Sequence, residues 1–490
     1  MSVNNILEFL EETARKTPER IAFADESESL TFGEFLQRTR AIGSAVSEMV
    51  PPRQPVAVLM NDRSVNTVAA LMGIVYAGCC YVPLDASLPE ERLALIAQSL
   101  CPALVLMDMK GEKAARSFDC PAIHVSDAIG HDIDARRLDE IRAQASADDP
   151  MAIMYTSGST GIPKGVVQSM RSHILYTTAT IEKYDFTADT VFGNQSPFFY
   201  ANSIIDIFPT LALGAKTVIL PAGALAFPAV LIEQLNRHRV IELTMTPSSY
   251  VKVASSGVLT PGCLPHLKYI VLSGEAAHWA TLEKWLAAAP EADVWNFYGS
   301  TEMYSVAVWK LTKTYEDGRT IPVGPLFDGV EIVFTEEEGM LVHTPWLAEG
   351  YYRDEHRTEA VFFTGEDGKR YYRSGDMGMM DEENHLVVLG RKDTQIKHMG
   401  YRMEIGETEL ALLSAQGVKE GCCIFDKDSG VLHAFYTGEV DPKALTPILK
   451  KVLPRYAMPD KVHQLAEMPY TPTMKIDRKK MHMMCENWQK

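Results

Sequence analysis

The chain has 490 residues, of which 46% are hydrophobic and 23% are charged, and its formal net charge at pH 7 is −17. A chain of this length and composition can bury a large core and is expected to divide into more than one domain. The acidic excess argues against broad binding to nucleic acid or anionic membranes, so an anionic ligand must be held locally.

The composition also bears on the compartment. The first residues mix acidic side chains with an amphipathic rhythm and lack the basic start and apolar stretch of a signal peptide. The uncharged segment 217–232 contains two prolines and is shorter than the ~20 residues of a membrane helix. Eight cysteines with no C-x-x-C spacing argue against a zinc knuckle or a disulfide framework. We therefore expect a soluble, cytoplasmic protein.

Short aliphatic runs alternate with segments of helical period, which is the pattern of an α/β fold. Thr31 and Glu34 have the spacing of a capping box and predict a helix from there to about Val50. Strand–helix–strand units of this kind require parallel pairing with right-handed crossovers. The next predicted elements are a strand over 55–60, a helix over 64–76, a helix over 89–99 and a strand over 103–107.

The most informative segment is 154–165, with the sequence MYTSGSTGIPKG. Glycines let backbone N–H groups turn toward an anion, hydroxyls add donors, and Lys164 adds a mobile positive charge. These features are typical of a phosphate-binding loop and indicate ATP as the ligand. The P-loop spacing does not fit, because Pro163 replaces its second glycine, so the nucleotide site is of another kind. Taken alone, the segment fits a surface turn equally well.

Two later segments carry polar residues suited to ligands. Residues 296–302, NFYGSTE, follow a strand predicted over 293–297, and α/β folds place ligands at strand ends. An aromatic ring there can stack on a base, and a carboxylate beside a hydroxyl suits Mg²⁺ on phosphate oxygens. Residues 371–376, YYRSGD, offer an acceptor for sugar hydroxyls. Each segment alone is more often a turn than a site.

A domain boundary is predicted near 390–393. Residues 394–490 carry 14 basic and 12 acidic residues, a net charge of +2, which leaves −19 for residues 1–393. We predict an N-terminal domain over 1–392 and a small C-terminal domain over 393–490. A gradient in surface composition is the simpler alternative.

Together these motifs stand in the order typical of one superfamily. The chain resembles the adenylate-forming superfamily, which includes acyl-CoA synthetases, luciferases and the adenylation domains of non-ribosomal peptide synthetases. It is most similar to those adenylation domains and to stand-alone D-alanine:carrier protein ligases. The resemblance implies an α/β fold with a large N-terminal domain of mixed sheets flanked by helices and a small mobile C-terminal α+β domain. The matching segments are 30–35, 76–78, 81–85, 154–165, 296–302, 349–352, 373–376, 390–407, 453–459 and 474–478.

The resemblance implies two half-reactions. A carboxylate attacks the α-phosphorus of MgATP to give an acyl adenylate and pyrophosphate, and a thiol then takes the acyl group as a thioester. Charge neutralisation and in-line positioning suit this chemistry, since two anions must meet. The implied catalytic residues are Lys475, Lys164, Thr301 on the phosphates and Glu302 on Mg²⁺. The implied nucleotide-binding residues are Thr156, Ser157, Gly158, Ser159, Thr160, Gly161, Lys164, Gly274, Glu275, Asn296 and Tyr298 at adenine, Gly299, Thr301, Asp376 and Arg391 at ribose, and Lys475.

Lys475 carries the largest implied role, bridging the substrate carboxylate and the ribose or phosphate oxygens. Without the surrounding motif it would be interpreted as a solvated lysine. Asp393 falls where members of the superfamily pivot, and rotation there would withdraw Lys475 and bring 395–401 to the thiol tunnel. Gly400 permits a close approach of the backbone to a pantetheine arm.

The acceptor of the acyl group is expected to be a separate molecule, since only fifteen residues follow Lys475. We prefer a free-standing phosphopantetheinylated carrier protein, with CoA as the alternative acceptor of an acyl-CoA ligase. A non-catalytic ATP-binding relative is a third reading. The joint presence of Lys164, Glu302, Asp376 and Arg391 with the tail lysine argues against it.

The acid pocket departs from the amino-acid-activating pattern. Such domains carry Phe-Asp-x-Ser before the helix that lines the pocket, and the Asp pairs with the α-ammonium group. Here the motif aligns with residues 200–203, and Ala201 replaces the Asp. A buried ammonium without a carboxylate is costly, which disfavours an α-amino acid, including D-alanine. Asp206, about one helical turn beyond the motif, is not a ready substitute.

We therefore expect a small carboxylic acid that lacks a free α-amino group, with an amino-acid carrier protein ligase as the alternative. Phe297 takes a position often held by a small residue and should narrow the cavity. Asn202 could bind a hydroxyl or carbonyl of the acid, although satisfaction by local backbone is equally plausible. The predicted pocket residues are Tyr200, Ala201, Asn202, Ile205, Thr244, Val271, Ser273, Phe297, Ser305 and Val306.

Overall fold

The chain forms two compact units in the computed structural model. The first unit falls within Met1–Ala86, Leu100–Tyr155 and Gly165–Lys392, and the second within Ser87–Ser99, Thr156–Lys164 and Asp393–Lys490. The second unit therefore takes in two short segments that precede the C-terminal residues in the chain. The residues that the structure describes are 3–60, 63–156, 163–274, 279–312, 321–391, 395–427, 429–470 and 476–487.

The first unit contains a large mixed sheet, sheet A. Its strands within the described residues are β1 Ile21–Ala24, β2 Ser29–Thr31, β9 Val191–Asn194, β10 Lys216–Ile219, β11 Glu242–Met245, β12 Tyr269–Ser273, β13 Asp293–Ser300 and β14 Tyr304–Lys310. Their spatial order is β14-β13-β12-β11-β9-β10-β1-β2. The inner strands from β13 to β1 run parallel, and β14 and β2 pair antiparallel at the two edges.

A second large sheet, sheet B, also belongs to this part of the chain. Its strands are β3 Pro55–Leu59, β4 Cys80–Pro83, β5 Leu104–Met107, β6 Ala122–His124, β7 Pro150–Thr156, β8 Lys164–Ser169 and β17 Gly350–Tyr351. Their order is β17-β8-β7-β4-β3-β5-β6. The strand pairs β3–β4 and β3–β5 are parallel, as the strand–helix–strand pattern predicts.

Smaller sheets complete both units. In the first unit these strands are β15 Glu331–Thr335, β16 Gly339–His343, β18 Phe362–Thr364, β19 Arg370–Arg373, β20 Asp376–Met380 and β21 Leu386–Arg391. In the second unit they are β22 Gln395–His398, β23 Tyr401–Glu404, β24 Val418–Asp426, β25 Val431–Gly438 and β26 Lys461–Gln464.

Helices flank the sheets in both units. Those of the first unit are α1 Leu7–Lys16, α2 Phe32–Met49, α3 Val65–Tyr76, α5 Glu112–Ala115, α6 Val125–Ile129, α7 Ala135–Arg142, α8 Met170–Tyr184, α9 Ile204–Leu213, α10 Pro228–Arg237, α11 Pro247–Ser255, α12 Trp279–Ala288 and α13 Glu355–Val361. Those of the second unit are α4 Glu90–Leu100, whose last residue falls in the first, α14 Ile405–Ser414, α15 Pro442–Val452 and α16 Arg478–Asn487. The described helices include none that could cross a bilayer.

The predicted fold class is confirmed: mixed sheets flanked by helices form the larger unit, and a smaller α+β unit holds the C-terminal residues. The capping box is present, since the Glu34 backbone N–H donates to Thr31 Oγ1 at 3.2 Å and the Thr31 N–H donates to the Glu34 carboxylate at 2.8 Å. Both bonds satisfy donors at the start of α2 that would otherwise be orphaned.

The strand predicted over 293–297 is longer than expected. β13 continues to Ser300, because β14 pairs with it through a register shift after Tyr298. Residues 296–300 of the polar motif therefore lie within the strand next to the sheet edge, and Thr301 and Glu302 follow it. A Cβ on Gly299 would come 1.8 Å from the carbonyl oxygen of Tyr304, so this glycine is required by the close approach of the two strands.

Candidate active site

β13 separates two kinds of side chain. Successive residues of a strand point to opposite faces, so Asn296 and Tyr298 share one face while Phe297 lies on the other. The Asn296 side-chain amide donates to the carbonyl of Pro322 at 3.1 Å, which leaves its oxygen as an acceptor. Phe297 instead shares its face with Ser273, its neighbour on β12. One strand thus serves both the predicted adenine side and the predicted acid side.

The predicted ribose residues form a connected cluster. Asp376 and Arg391 are register partners on β20 and β21, and Arg391 Nη1 lies 2.7 Å from Asp376 Oδ1. The Tyr298 hydroxyl donates to the other oxygen of the same carboxylate. Burial and the neighbouring Asp376 charge raise the pKa of Tyr298 well above its usual value, so the phenol keeps its proton. The structure therefore unites three residues that are distant in sequence.

The turn after β13 holds the predicted phosphate and magnesium residues. Gln168 Nε2 donates to the carbonyl of Thr301 at 3.0 Å, and the Tyr351 hydroxyl donates to Glu302 Oε1 at 3.0 Å. Glu302 is fully buried. The Ser300 hydroxyl beside it is buried and has no hydrogen-bond partner among the described residues. Side chains of β8 and β17 therefore hold the turn, and the Ser300 hydroxyl can still bind a ligand.

The cluster of Tyr298, Asp376 and Arg391, together with the turn after β13, fits a nucleotide. An ionised carboxylate has about four acceptor positions, and the described contacts of Asp376 use one on each oxygen. The remaining positions can accept from ribose hydroxyls, and Ser300 can donate to a phosphate. The described residues contain no group of three metal-ligating side chains. One buried carboxylate such as Glu302 still suits Mg²⁺, which takes most of its ligands from phosphates and water.

Several predicted residues lie outside the described part of the chain. Lys475, Glu275 and the hinge residue Asp393 are among them, together with Ser157, Gly158, Ser159, Thr160 and Gly161 of the phosphate loop. Thr156 ends β7 and Lys164 begins β8, so strands flank the loop on both sides. Gly274 follows β12 with φ +94°, a conformation that favours glycine.

The predicted acid pocket follows the face of sheet A that α8 and α9 cover. Register pairs align Thr244 with Val271 and Ser273 with Phe297 on adjacent strands. The Ser305 hydroxyl contacts the Tyr176 hydroxyl of α8 at 2.8 Å. Ile205 and Val306 are buried within the same core cluster. Tyr200, Ala201 and Asn202 precede α9 and are only partly buried.

Ala201 begins a short 3₁₀ turn, Ala201–Ser203, that leads into α9, so the position where the motif would place its Asp carries only a methyl group. The amide nitrogen of Asn202 is buried without a hydrogen-bond partner among the described residues. Satisfaction of this nitrogen by nearby backbone, the alternative raised from sequence, is therefore not seen.

Two further carboxylates lie deeper in the same layer. Asp206 in the first turn of α9 and Glu242 at the start of β11 are both fully buried. Asn194 Nδ2 donates to Asp206 Oδ2 at 2.6 Å, and Thr244 Oγ1 donates to Glu242 Oε1 at 2.5 Å. Burial raises the pKa of Asp206 to about 8. Burial and the Asp206 charge raise the pKa of Glu242 well above its usual value.

Sequence reasoning missed Glu242, Gln168 and Tyr351. Glu242 opens the buried run ELTM, and a carboxylate in such a run was the available signal. Tyr351 belongs to a recognised motif, but its contact with Glu302 depends on the pairing of β17 with β8. Gln168 carries no distinguishing pattern.

The chain belongs to the AMP-binding enzyme family, whose family model matches residues 10–352. Among its relatives are the D-alanine--D-alanyl carrier protein ligases of Bacillus cytotoxicus and Bacillus cereus. Each is 29% identical over 97% of this chain and 98% of its own length.

Solved structures share the fold. The Vibrio cholerae adenylation domain AlmE, in complex with glycyl-adenosine-5'-phosphate, matches with a TM-score of 0.85 at 21% identity over 99% of both chains. The o-succinylbenzoate CoA synthetase of Bacillus subtilis matches with a TM-score of 0.80 at 22% identity over 96% of this chain and 98% of its own. The chain is accordingly an AMP-forming ligase with the fold of an adenylation domain.

Proposed function

We propose that the protein activates a small carboxylic acid with ATP as an acyl adenylate and transfers the acyl group to the phosphopantetheine thiol of a separate carrier protein, in the cytoplasm. The observation that carries the proposal is the cluster of Tyr298, Asp376 and Arg391. It unites a protonated phenol, a carboxylate with unused acceptor positions and a guanidinium group on one side of β13. Membership of the AMP-binding enzyme family supports the reaction class.

Each half of the site contributes one part of the chemistry. Asp376 would orient the ribose, and the Thr301–Glu302 turn, held by Gln168 and Tyr351, would meet the phosphates. Mg²⁺ bound near Glu302 would neutralise phosphate charge. The side chains of Lys164 and Lys475 would supply positive charge where the carboxylate approaches the α-phosphorus.

The acceptor assignment rests on the relatives. The Bacillus relatives are named for a carrier protein, and they span nearly the whole chain. A similar solved structure is an artificially fused adenylation and carrier di-domain, with a TM-score of 0.82 at 20% identity. CoA remains the alternative acceptor, as the o-succinylbenzoate CoA synthetase illustrates.

The substrate is proposed to lack a free α-amino group, because Ala201 stands where an α-ammonium group would need a carboxylate. The second candidate is an α-amino acid of the D-alanine type, which the names of the relatives favour. ATP–pyrophosphate exchange across matched α-amino, α-hydroxy and unsubstituted acids separates the two. Selective exchange with D-alanine or another α-amino acid would overturn the proposed substrate class.

The acceptor is tested in the second half-reaction. The enzyme with ATP and its best acid is incubated with a phosphopantetheinylated carrier protein or with CoA, and thioester is measured by mass spectrometry. We expect carrier thioester in preference to acyl-CoA. The apo carrier, which lacks the thiol, is the matched control, and faster acyl-CoA formation would contradict the carrier assignment.

The lysine on the C-terminal segment gives a separate prediction. Lys475→Ala should lower the rate of adenylate formation by about 100-fold or more, because a charge aimed at the transition state is removed. Thioester formation from preformed acyl adenylate should stay within about twofold of wild type. Lys479→Ala, a neighbouring lysine outside the motif, is the control. Adenylate formation at the normal rate in Lys475→Ala would refute the role.

A further inference from the structure

The Asp206–Glu242 pair is the part of the acid-pocket layer that the proposed reaction leaves unexplained. Each carboxylate is fully buried, and each uses one oxygen in a hydrogen bond to a neighbouring strand residue. The other oxygens, Asp206 Oδ1 and Glu242 Oε2, are buried without a partner among the described residues. Buried polar atoms in native proteins are nearly always satisfied, so this pair calls for a ligand, a water or a shared proton.

The position of the pair follows from the parallel strands. The nucleotide residues gather at the carboxyl ends of β12 and β13, whereas Glu242 stands at the amino end of β11. It lies two residues, or about 7 Å, before Thr244 along the strand. Asp206 belongs to the turn of α9 beyond Asn202. An acid with its carboxylate at the nucleotide would thus reach the pair only through its distal end.

Charge decides which group the pair would take. Glu242 is the register partner of Phe192 on β9, two residues before the Asn194 that binds Asp206, and the Asp206 charge raises the pKa of Glu242. Two such carboxylates repel when both are ionised, and a cation between them removes that repulsion. Arg63, the cation whose charge acts on Asp206, donates to the Asn194 and Ser196 carbonyls. It lowers the pKa of Asp206 only as a secondary effect. Tyr184 and Tyr250, whose pKa values are raised by burial and by the Glu242 charge, add no positive charge.

We propose that Asp206 and Glu242 bind the ammonium group of the substrate, and that the substrate is therefore a carboxylic acid whose amino group lies beyond its α-carbon. This inference rests on the proposed function and specifies its substrate class. An ammonium group has three donors and can serve Asp206 Oδ1 and Glu242 Oε2 together. The arrangement accounts for Ala201 as well, since no carboxylate is needed at the α-position.

The first test is an exchange panel on the wild-type enzyme. Straight-chain acids of three to six carbons are compared in pairs, with an amino group or a methyl group at the β-, γ-, δ- or ε-carbon, together with the α-amino isomers. We expect one distal-amino acid to exceed its methyl partner and its α-amino isomer by about 100-fold or more in kcat/KM, because only a distal amino group can donate to both Asp206 Oδ1 and Glu242 Oε2.

The pair itself is tested with isosteric variants. Asp206→Asn and Glu242→Gln should each lower kcat/KM for the amino acid by about 100-fold and leave the methyl partner within about threefold. Thr217→Val is the matched control: its hydroxyl donates to the backbone carbonyl of Asp206 at 2.8 Å and does not touch either carboxylate. It should retain the preference for the amino acid.

A proton readout separates binding from a structural role. Because the empty pair holds protons near neutral pH, binding an ammonium group must release them. KM for the distal-amino acid should therefore fall between pH 6 and pH 8, while KM for the methyl partner stays flat. A pair that only shares a proton or holds water would give no such difference.

The outcomes are distinguishable. Exchange with neutral acids and no amino preference overturns this inference but leaves the proposed adenylation intact. A preference for α-amino acids, unaffected by Asp206→Asn, overturns it as well. Exchange with no acid at all removes both proposals.

Discussion

Two carboxylate sites in the first unit differ in how their charge is balanced. Asp376 contacts a guanidinium at 2.7 Å and accepts from a phenol, so its charge is compensated before any ligand arrives. Asp206 and Glu242 are both fully buried, and their only described side-chain donors are an amide and a hydroxyl. The first site is pre-assembled, whereas the second is completed only by protons or by a cation.

The difference matters for specificity. A preformed, charge-balanced site can bind the same nucleotide in every member of a family, since nothing in it depends on the acid. A buried pair of carboxylates without a cation favours a cationic ligand over neutral and anionic ones. We therefore propose that the β20–β21 strand pair recognises ATP and that the layer between α9 and β11 selects the acid.

The division of roles between the two sites is tested most directly by removing the charge of Asp376. Asp376→Asn should reduce kcat/KM for ATP by about 100- to 1000-fold, on the order of 3 to 4 kcal/mol, because it removes ribose acceptors and leaves Arg391 without its anion. Exchange rates at varied ATP and saturating acid measure kcat/KM and KM for ATP. Asp206→Asn is the paired control and should keep KM for ATP within about twofold. Equal ATP defects in the two variants would abolish the division of roles.

A smaller effect is expected in the pH dependence of stability. The folded pKa of Asp206 is about 8, above its unfolded value near 4, so the folded state holds a proton that the unfolded chain has lost. Its contribution is complete below about pH 4 and is lost as the pH rises through 8. Between pH 6 and pH 8 the free energy of unfolding should fall by roughly 2 kcal/mol from this group.

Urea titrations at the two pH values measure this change. The double variant Asp206→Asn, Glu242→Gln should flatten the dependence, because neither new side chain titrates. Thr217→Val should keep the wild-type slope. A double variant with the wild-type slope would mean that other groups dominate the titration.

The sequence predicts the residues of the Asp376 site more completely than those of the Asp206–Glu242 pair. Asp376, Arg391 and Tyr298 lie in ordered motifs, and a strand pair with a defined register is enough to unite the first two. The extent of β13 was underestimated, because the antiparallel partner β14 extends it through an irregular pairing that local propensity does not encode. Gly299 is required by that same strand pairing, so its presence in the motif does not depend on contact with a ligand.

The acid layer depends on long-range packing instead. Asp206 is 36 residues from Glu242 along the chain, and only the packing of α9 over sheet A brings their charges into the same layer. Side chains of a strand alternate between its two faces, so a shift of one residue decides whether a carboxylate lines the pocket or faces the core. The absence of a carboxylate at Ala201 could be recognised from the motif, whereas the presence of a pair elsewhere could not.

The smallest expected effect concerns Thr244, which links the pocket face to the pair. Thr244→Val keeps the shape but removes the 2.5 Å bond to Glu242, and it should cost about 1 kcal/mol of stability. Thr31→Ala removes the capping hydroxyl of α2 and should cost a similar amount. The two variants differ in kinetics: Thr244→Val should raise KM for the acid by about threefold to tenfold and leave KM for ATP unchanged, whereas Thr31→Ala should change neither. If the two variants had the same KM for the acid, Thr244 would not line the pocket. An acid bound at the nucleotide would then not extend past Thr244 to the buried carboxylates.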